Sequence, residues 1–338
     1  MRVIVVGGGV IGLSTAFFLS RSGIEDVVVV ESQPALGNGS TGRNPGAIRT
    51  GFGSTINMEM TLVSKRIMAD FQALTGIPLD FSDNGYLWMA STEEQADGLQ
   101  AVVSAVNAQG VDASWISPAE VCEIVKEVDR SRIVGASFTP GDGIVNPHRM
   151  LFGFVRGASN AGVEINCRYP VSGLAASNGT VTGIKSPRGD LGADAVVIAA
   201  GAHSADLVRS VGIEMPIEPF RRHSFISGPA EWLPHRMPFI VDSETGAYFR
   251  RTGDKLIFGR GREYHNDPPT FSTDVKPDAL EKAFTSASEV MPAMAQTTVM
   301  HGYAGLYAMT PDLHSIVGPV EAFAGLYLAC GFSGHGLM

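Results

Sequence analysis

Residues 2 to 6, RVIVV, are continuous and β-branched from Val3 onward, the pattern of a strand buried on both faces. Glycines at 7, 8, 9 and 12 then interrupt the apolar sequence, and positions 10 to 22 take helical spacing. A second buried strand is predicted over Asp26 to Glu31, DVVVVE. Strand, glycine turn, helix and strand make one βαβ unit of about 30 residues. The run from 3 to 20 carries no charge, so its length alone also admits a membrane span or a signal-peptide core. Its four glycines and the strand that follows at once suit the strand–turn–helix better, and no other segment is long enough to span.

A glycine-rich loop, LGNGSTGRNPGAIRTGFGS, covers 36 to 54, after which MEMTLVSKRIMADFQALTG has helical spacing. This pattern predicts one helix over 58–76 with Leu62, Ile67, Phe71 and Leu74 in the core, closed at Gly76 and Pro78. Thr92 with Gln95, and Ser117-Pro118 with Glu120, are capping-box helix starts. Tyr86 to Ala90, YLWMA, reads as a strand, and Asn146-Pro147 opens a further helix. From Tyr169 strands and turns alternate (PVSGLAA, TVTGIKS), ending in ADAVVIAAGAHS, a buried strand that runs into a glycine turn. HSFISG, GAYFRR and KLIFGR are short strand patterns, and a helix is predicted near 277 to 290. No internal repeat, low-complexity tract or linker stands out, which favours two domains woven together by crossovers.

Composition narrows the partners. An apolar fraction of 44% supports a large core, and the 40 glycines in 338 residues, roughly 12% against about 7% on average, point to tight turns and close ligand approaches. The formal charge is 25 − 34 = −9, with only short basic pairs such as Arg221-Arg222, which argues against nucleic acid. Cys122, Cys167 and Cys330 are far apart and form no metal-ligand spacing, so reduced thiols in a cytoplasmic protein are expected and no metal. His148, His235, His265 and His301 are isolated and expected in solvated or core roles.

Gly7-Gly8-Gly9-Val10-Ile11-Gly12 meets G-x-G-x-x-G in the required context, after a strand and at a helix start, with Glu31 ending the next strand. Gly7 makes the turn, Gly9 admits a pyrophosphate, and Gly12 lets helix and strand pack closely. Glu31 suits ribose hydroxyls and disfavours a 2′-phosphate. The dinucleotide set read here is Gly7, Gly9, Val10, Ile11, Gly12, Glu31 and Ser32. GNGSTGRNPGAIR, 37 to 49, favours FAD over NAD, since its small residues leave backbone N–H groups for a pyrophosphate and flavin; a surface loop is the alternative.

GGGVIG, STGRNPGAIR, VVIAAGAHS, GLYAMTPDLHSIVG and GFSGHG follow in an order that resembles the DAO-type FAD-dependent oxidoreductases. STGRN with GFSGHGLM is most similar to the proline dehydrogenase and heterotetrameric sarcosine oxidase β-subunit branch. The resemblance implies an α/β fold, with a Rossmann-like FAD-binding domain interwoven with a substrate domain on a mixed or antiparallel sheet. The expected division is 1–80, 145–215 and 306–338 for FAD, and 81–144 and 216–305 for substrate. It places Gly39, Ser40, Thr41, Arg43, Asn44, Gly46 and Ala47 along pyrophosphate and flavin, with Val171 at adenine and Ala200 and Gly201 along the dinucleotide. Gly305, Gly331, Ser333, Gly334, His335, Gly336, Leu337 and Met338 complete the implied flavin site. Arg49 matches a carboxylate-binding arginine, a role its guanidinium fork suits, with a plain surface charge as the alternative. Tyr248 matches a pocket tyrosine, or is simply a strand tyrosine. His335 is the histidine closest to a catalytic role, whereas His314 is expected to be structural.

Three positions depart from the oxidase members. Gly305 aligns with a cysteine that links flavin covalently, so FAD is expected to be non-covalent. Ile257 aligns with a lysine that promotes reaction with oxygen, and Met338 with a lysine that helps hold the substrate carboxylate. The implied activity is oxidation of a small amino or imino acid (proline, sarcosine, glycine or a D-amino acid) by hydride transfer to flavin N5, as a dehydrogenase more than an oxidase. An electron-accepting subunit or carrier, and a hetero-oligomer, are the implied partners. The rivals are an NAD-linked dehydrogenase and a flavin-binding assembly or relay subunit without amine turnover. In the family a helix follows GFSGHG, so the sequence ending at Met338 is expected to be truncated.

Overall fold

The first apolar run lies at the centre of a six-stranded sheet. Its strands stand in the order Ile316–Pro319, Leu326–Cys330, Ala195–Ile198, Arg2–Val6, Asp26–Val30 and Glu164–Asn166. All neighbours are parallel except the first pair. The computed structural model describes residues 1–261 and 267–338. The alternation of side chains explains why these strands are apolar throughout. Val3, Val5, Val27 and Val29 pack with Leu13 and Phe17 of helix Val10–Arg21 and with Met150 and Phe154 of helix Pro147–Asn160. Ile4, Val6, Val28 and Val30 face the other way, onto Leu174, Ile184 and Val208, which belong to a three-stranded antiparallel meander and a short helix.

Two glycines bring the first layer together. A Cβ at Gly157 would lie 2.7 Å from the Phe17 ring and one at Gly153 2.2 Å from the Phe71 ring, so both rings press directly on the helix backbone. Full burial of such a ring stabilises by roughly 1.5–3 kcal/mol.

The eight-stranded sheet has the order Val299–Met309, Glu218–Ser227, Lys255–Arg260, Ala247–Thr252, Phe239–Asp242, Tyr86–Ala90, Gly135–Thr139 and Ser114–Ile116. It is mixed, with one parallel pair where Phe239–Asp242 meets Tyr86–Ala90. Its two faces separate by alternation. Leu87, Met89, Phe225, Ile240, Phe249 and Phe258 form a core with helix Pro277–Val290, while the intervening residues face a cavity.

Both predicted helix starts are capped, but only the Ser117–Glu120 pair closes a full capping box. Ser117 accepts from Glu120 N–H while Glu120 accepts from Ser117 N–H, and Gln95 reaches back to Ser91 beside its Thr92 cap. The helix predicted over 58–76 differs. Helix Thr55–Ala69 ends at Asp70, and Phe71–Thr75 follows as a separate turn capped by Gly76 at φ 76°. Phe71 is buried, but Leu62, Ile67 and Leu74 are only partly so, and Met58, Thr61 and Met68 take the inner face. The break re-phases the apolar stripe, and Thr61 is tolerated inside because its hydroxyl donates to Asn57 O at 2.9 Å.

Among the described residues no helix is long and apolar enough to cross a membrane, and no cluster of three or more His, Cys, Asp or Glu is placed to hold a metal.

Candidate functional site

Both sheets contribute to one cavity of about 1230 Å³, larger than the roughly 300–1,000 Å³ of ordinary ligand pockets. At one side lies the first glycine turn. A Cβ on Gly7 would come 2.3 Å from Ala199 O, and one on Gly12 1.9 Å from Gly7 O, so these two positions are closed by backbone. Gly9 differs: a Cβ there would meet only Thr41 Oγ1, at 3.2 Å, and its bare backbone faces the cavity. Glu31 is held in place by its neighbours, since Oε2 accepts from Gly8 N–H at 2.8 Å and Oε1 from Gln33 N–H at 2.8 Å.

The loop after the second strand is fixed by the polar side chains that the resemblance assigns to pyrophosphate and flavin. Thr41 Oγ1 accepts from Val10 N–H at 3.0 Å, tying the loop to the helix start. Ser40 donates to Leu306 O at 2.6 Å and Arg43 to Ala304 O at 2.8 Å, fastening it to the strand Val299–Met309. Asn44 closes the turn locally through Thr41 O and Gly46 N–H. These residues build the loop, and its backbone forms much of the cavity wall. A Cβ at Gly39 or Gly201 would meet nothing within 4 Å, so the wall offers uncovered main chain where a dinucleotide is expected. The residues present therefore fit FAD.

Ile11, Ser32, Ala47, Val171 and Ala200 also line the cavity, as do Gly305, Gly331, Ser333, Gly334, Gly336, Leu337 and Met338. Two expected members do not. Gly12 serves helix–strand packing, and Gly46, at φ 76° with Val145 O 2.2 Å from a built Cβ, serves a tight turn. At Gly305, a Cβ would stand 2.9 Å from Arg43 Cβ, so the strand needs glycine beside the loop. The turn 331–336 is anchored by Ser333 N–H to Ala308 O at 2.9 Å and by the Thr310–Ser333 hydroxyl pair at 3.0 Å.

Across the cavity, the half-buried Arg49 guanidinium lies 3.8 Å from the Phe52 ring centroid and 5.2 Å from that of Trp88. It donates to Gly51 O, and its main-chain N–H approaches Met338 Sδ at 3.2 Å. Burial lowers its pKa, opposed by Tyr86, Asp142 and Tyr307. Behind it, the buried Asp142 carboxylate accepts from Thr50 N–H and Oγ1, both at 2.6 Å, and from Lys65 Nζ at 3.0 Å. Tyr248 reaches the cavity wall, stacks on Phe239 at 5.8 Å and shares a 2.7 Å hydrogen bond with Ser224 Oγ. Burial raises its pKa, and that of Tyr86, far above the working range, so both are neutral phenols.

His335 sits edge-on to Phe52 at 5.3 Å, with Nε2 buried and unpartnered. Burial, then the charges of Arg49 and His314, lower its pKa to about 4, so the ring is neutral near pH 7. His314 itself bonds Ser54 Oγ at 2.7 Å outside the cavity lining. His148, His235 and His301 lie away from the cavity lining, and His265 is outside the described residues. Ile257 is buried and does not line the cavity.

Sequence reasoning missed Tyr86, Trp88, Ser224, Phe239 and Tyr307, all in the wall. One signal was present: in YLWMA, Tyr86 and Trp88 are two apart and share a face opposite Leu87 and Met89.

Comparison with known proteins gives the same picture. The structure of L-proline dehydrogenase from P. horikoshii superposes with a TM-score of 0.92 at 28% identity, covering 100% of this chain and 89% of that one. The β subunit of sarcosine oxidase from Rhodobacter capsulatus is 26% identical over 343 residues, 99% of this chain and 80% of that protein. Mitochondrial dimethylglycine dehydrogenase from Rattus norvegicus is 24% identical over 355 residues; the match takes in 100% of this chain but only 41% of that protein. The chain thus spans about two fifths of the length of that relative. A glycine turn, the half-buried Glu31 and an uncovered main-chain wall agree with a family model, DAO, that matches residues 2–338, and the chain belongs to this family of FAD-dependent oxidoreductases.

Proposed function

We propose that the protein oxidises a small amino or imino acid, a secondary amine or amino acid of the proline, sarcosine, glycine or D-amino acid kind, at the carbon next to nitrogen. The observation that carries this reading is the position of Arg49 in the wall of the same cavity that holds the dinucleotide turn. Arg49 would take the substrate carboxylate, with Phe52 and Trp88 fixing the plane of its guanidinium. Tyr86, Tyr248 and Phe239 would bound the substrate and exclude water. FAD, bound non-covalently along Gly9, Glu31, the 39–47 loop and the 331–338 turn, supplies the hydride acceptor.

The residues at 257 and 338 are not lysines, which supports a dehydrogenase that passes electrons to another subunit or carrier. A subunit of a hetero-oligomer is consistent with the similarity to a sarcosine oxidase β subunit, which is itself part of an assembly by its name.

The test is anaerobic bleaching of the yellow holoprotein by a panel of L-proline, sarcosine, glycine and D-amino acids. Bleaching by at least one member is expected. Arg49→Ala should keep the flavin spectrum but raise the half-saturating substrate concentration about ten- to a hundredfold, the equivalent of roughly 1.5–3 kcal/mol for a charged hydrogen-bonded partner. No bleaching by any member would replace this reading with an assembly subunit.

A further inference from the structure

The eight-stranded sheet carries a row of hydroxyls that leads out of the cavity. In register, Tyr303 stands opposite Ser224, Ser224 opposite Gly259, and Gly259 opposite Tyr248, across four adjacent strands. Gly259 is the gap in the row. A Cβ there would lie 2.5 Å from the Tyr248 hydroxyl, so its absence lets the phenol cross over the strand. Tyr248 then meets Ser224 Oγ at 2.7 Å, and either atom can donate. Tyr303 stands directly opposite Ser224 in register, so its phenol is the next hydroxyl along the row, and the Ser224 side chain is among the groups that act on it.

The two ends of the row differ. Tyr248 and Ser224 line the cavity, and Ser224 is almost fully buried. Tyr303 does not line it; it is partly exposed, on the edge strand, next to the exposed His301. We propose that Tyr248, Ser224 and Tyr303 form a proton exit through which the substrate ammonium loses the proton that blocks its oxidation. The inference rests on the amine-oxidation reading above.

An amino acid enters mainly as the ammonium, which has no lone pair to assist hydride departure. The ammonium N–H bond breaks as the Tyr248 oxygen takes the proton; Tyr248 gives its own proton to Ser224, Ser224 to Tyr303, and Tyr303 to water. One proton leaves, no electron moves in this step, and every hydroxyl ends neutral. Such a concerted hand-over suits phenols whose anions are disfavoured by burial, as for Tyr248 and, to a lesser degree, Tyr303. The charged and titratable groups that face Tyr248 are Arg222, Tyr303 and Tyr307, and Arg250 faces Tyr303.

The test uses holoprotein mixed rapidly with the panel amino acid that bleaches the wild type fastest, with a pH-indicator dye in weak buffer. At pH 7, Ser224→Ala and Tyr303→Phe should each bleach on the order of a hundredfold more slowly, the low end for a proton-transfer group. Dye-reported proton release should slow with it, while the half-saturating concentration stays the same. Rates should return toward wild type as pH nears the amine pKa, and Ser224→Thr, which keeps the hydroxyl, should stay close to wild type. Wild-type rates and pH profile in both variants would overturn the exit, as would a loss in Ser224→Ala alone. Failure of every amino acid to bleach the wild type would overturn the amine reading first, and the exit with it, so the two failures are told apart.

Discussion

The two walls of the cavity are made by different means. On the six-stranded side the surface is main chain: Gly9, Gly39 and Gly201 are open to the cavity, and side chains such as Thr41, Ser40 and Arg43 are spent on holding the loops. On the eight-stranded side the surface is side chain: Tyr86, Trp88, Phe239 and Tyr248 face the space, positioned by strand register. A main-chain wall depends on the close backbone packing behind it, as at Gly7 and Gly12. A side-chain wall tolerates volume changes but depends on how each group is held from behind.

The largest expected effect tests the backbone packing behind the main-chain wall. Gly12→Ala puts a Cβ 1.9 Å from Gly7 O, which neither backbone can yield, and should destabilise by about 3 kcal/mol or more. Chemical denaturation would read this, and Gly39→Ala, with nothing within 4 Å, should keep wild-type stability. Equal behaviour of the two variants would break the contrast. Next, Asp142→Asn removes the charge that holds Thr50 and Lys65 behind Arg49, and should cost about 2 kcal/mol of stability, since hydrogen bonds to charged groups are worth roughly 1.5–3 kcal/mol. Its half-saturating substrate concentration should rise, but less than in Arg49→Ala.

The smallest effect concerns pH. His335 has a folded pKa of about 4 against an ordinary 6.5, so below pH 6.5 the unfolded chain gains a proton that the fold refuses. Its contribution is fully present above pH 6.5 and is lost as pH falls toward 4. Urea midpoints taken at intervals over that range should fall less steeply in His335→Gln than in wild type.

The same contrast explains what could be read from the sequence. Main-chain sites demand glycine at fixed offsets, so GGGVIG, the loop at 36–54 and GFSGHG were visible as text, and so was the buried alternation around them. Arg49 and Tyr248 were placed through a resemblance and not through their own spacing. The Tyr303–Ser224–Gly259–Tyr248 row could not be read at all, because it depends on which strands neighbour one another and in what register. The inward face of helix Thr55–Ala69 was misjudged for a related reason: periodicity assumed one continuous helix, and the turn at Asp70 shifted the phase.

The sheet order also sets a timetable. Arg2–Val6 meets Asp26–Val30 soon after both are made, but its other neighbour, Ala195–Ile198, comes some 190 residues later. At roughly 5–20 residues per second, a ribosome needs about 10–40 s to supply it. For that interval one edge of a strand that is valine and isoleucine from residue 3 to 6 has no neighbour, and the nascent chain is a customer for whatever shields sticky edges in the cell.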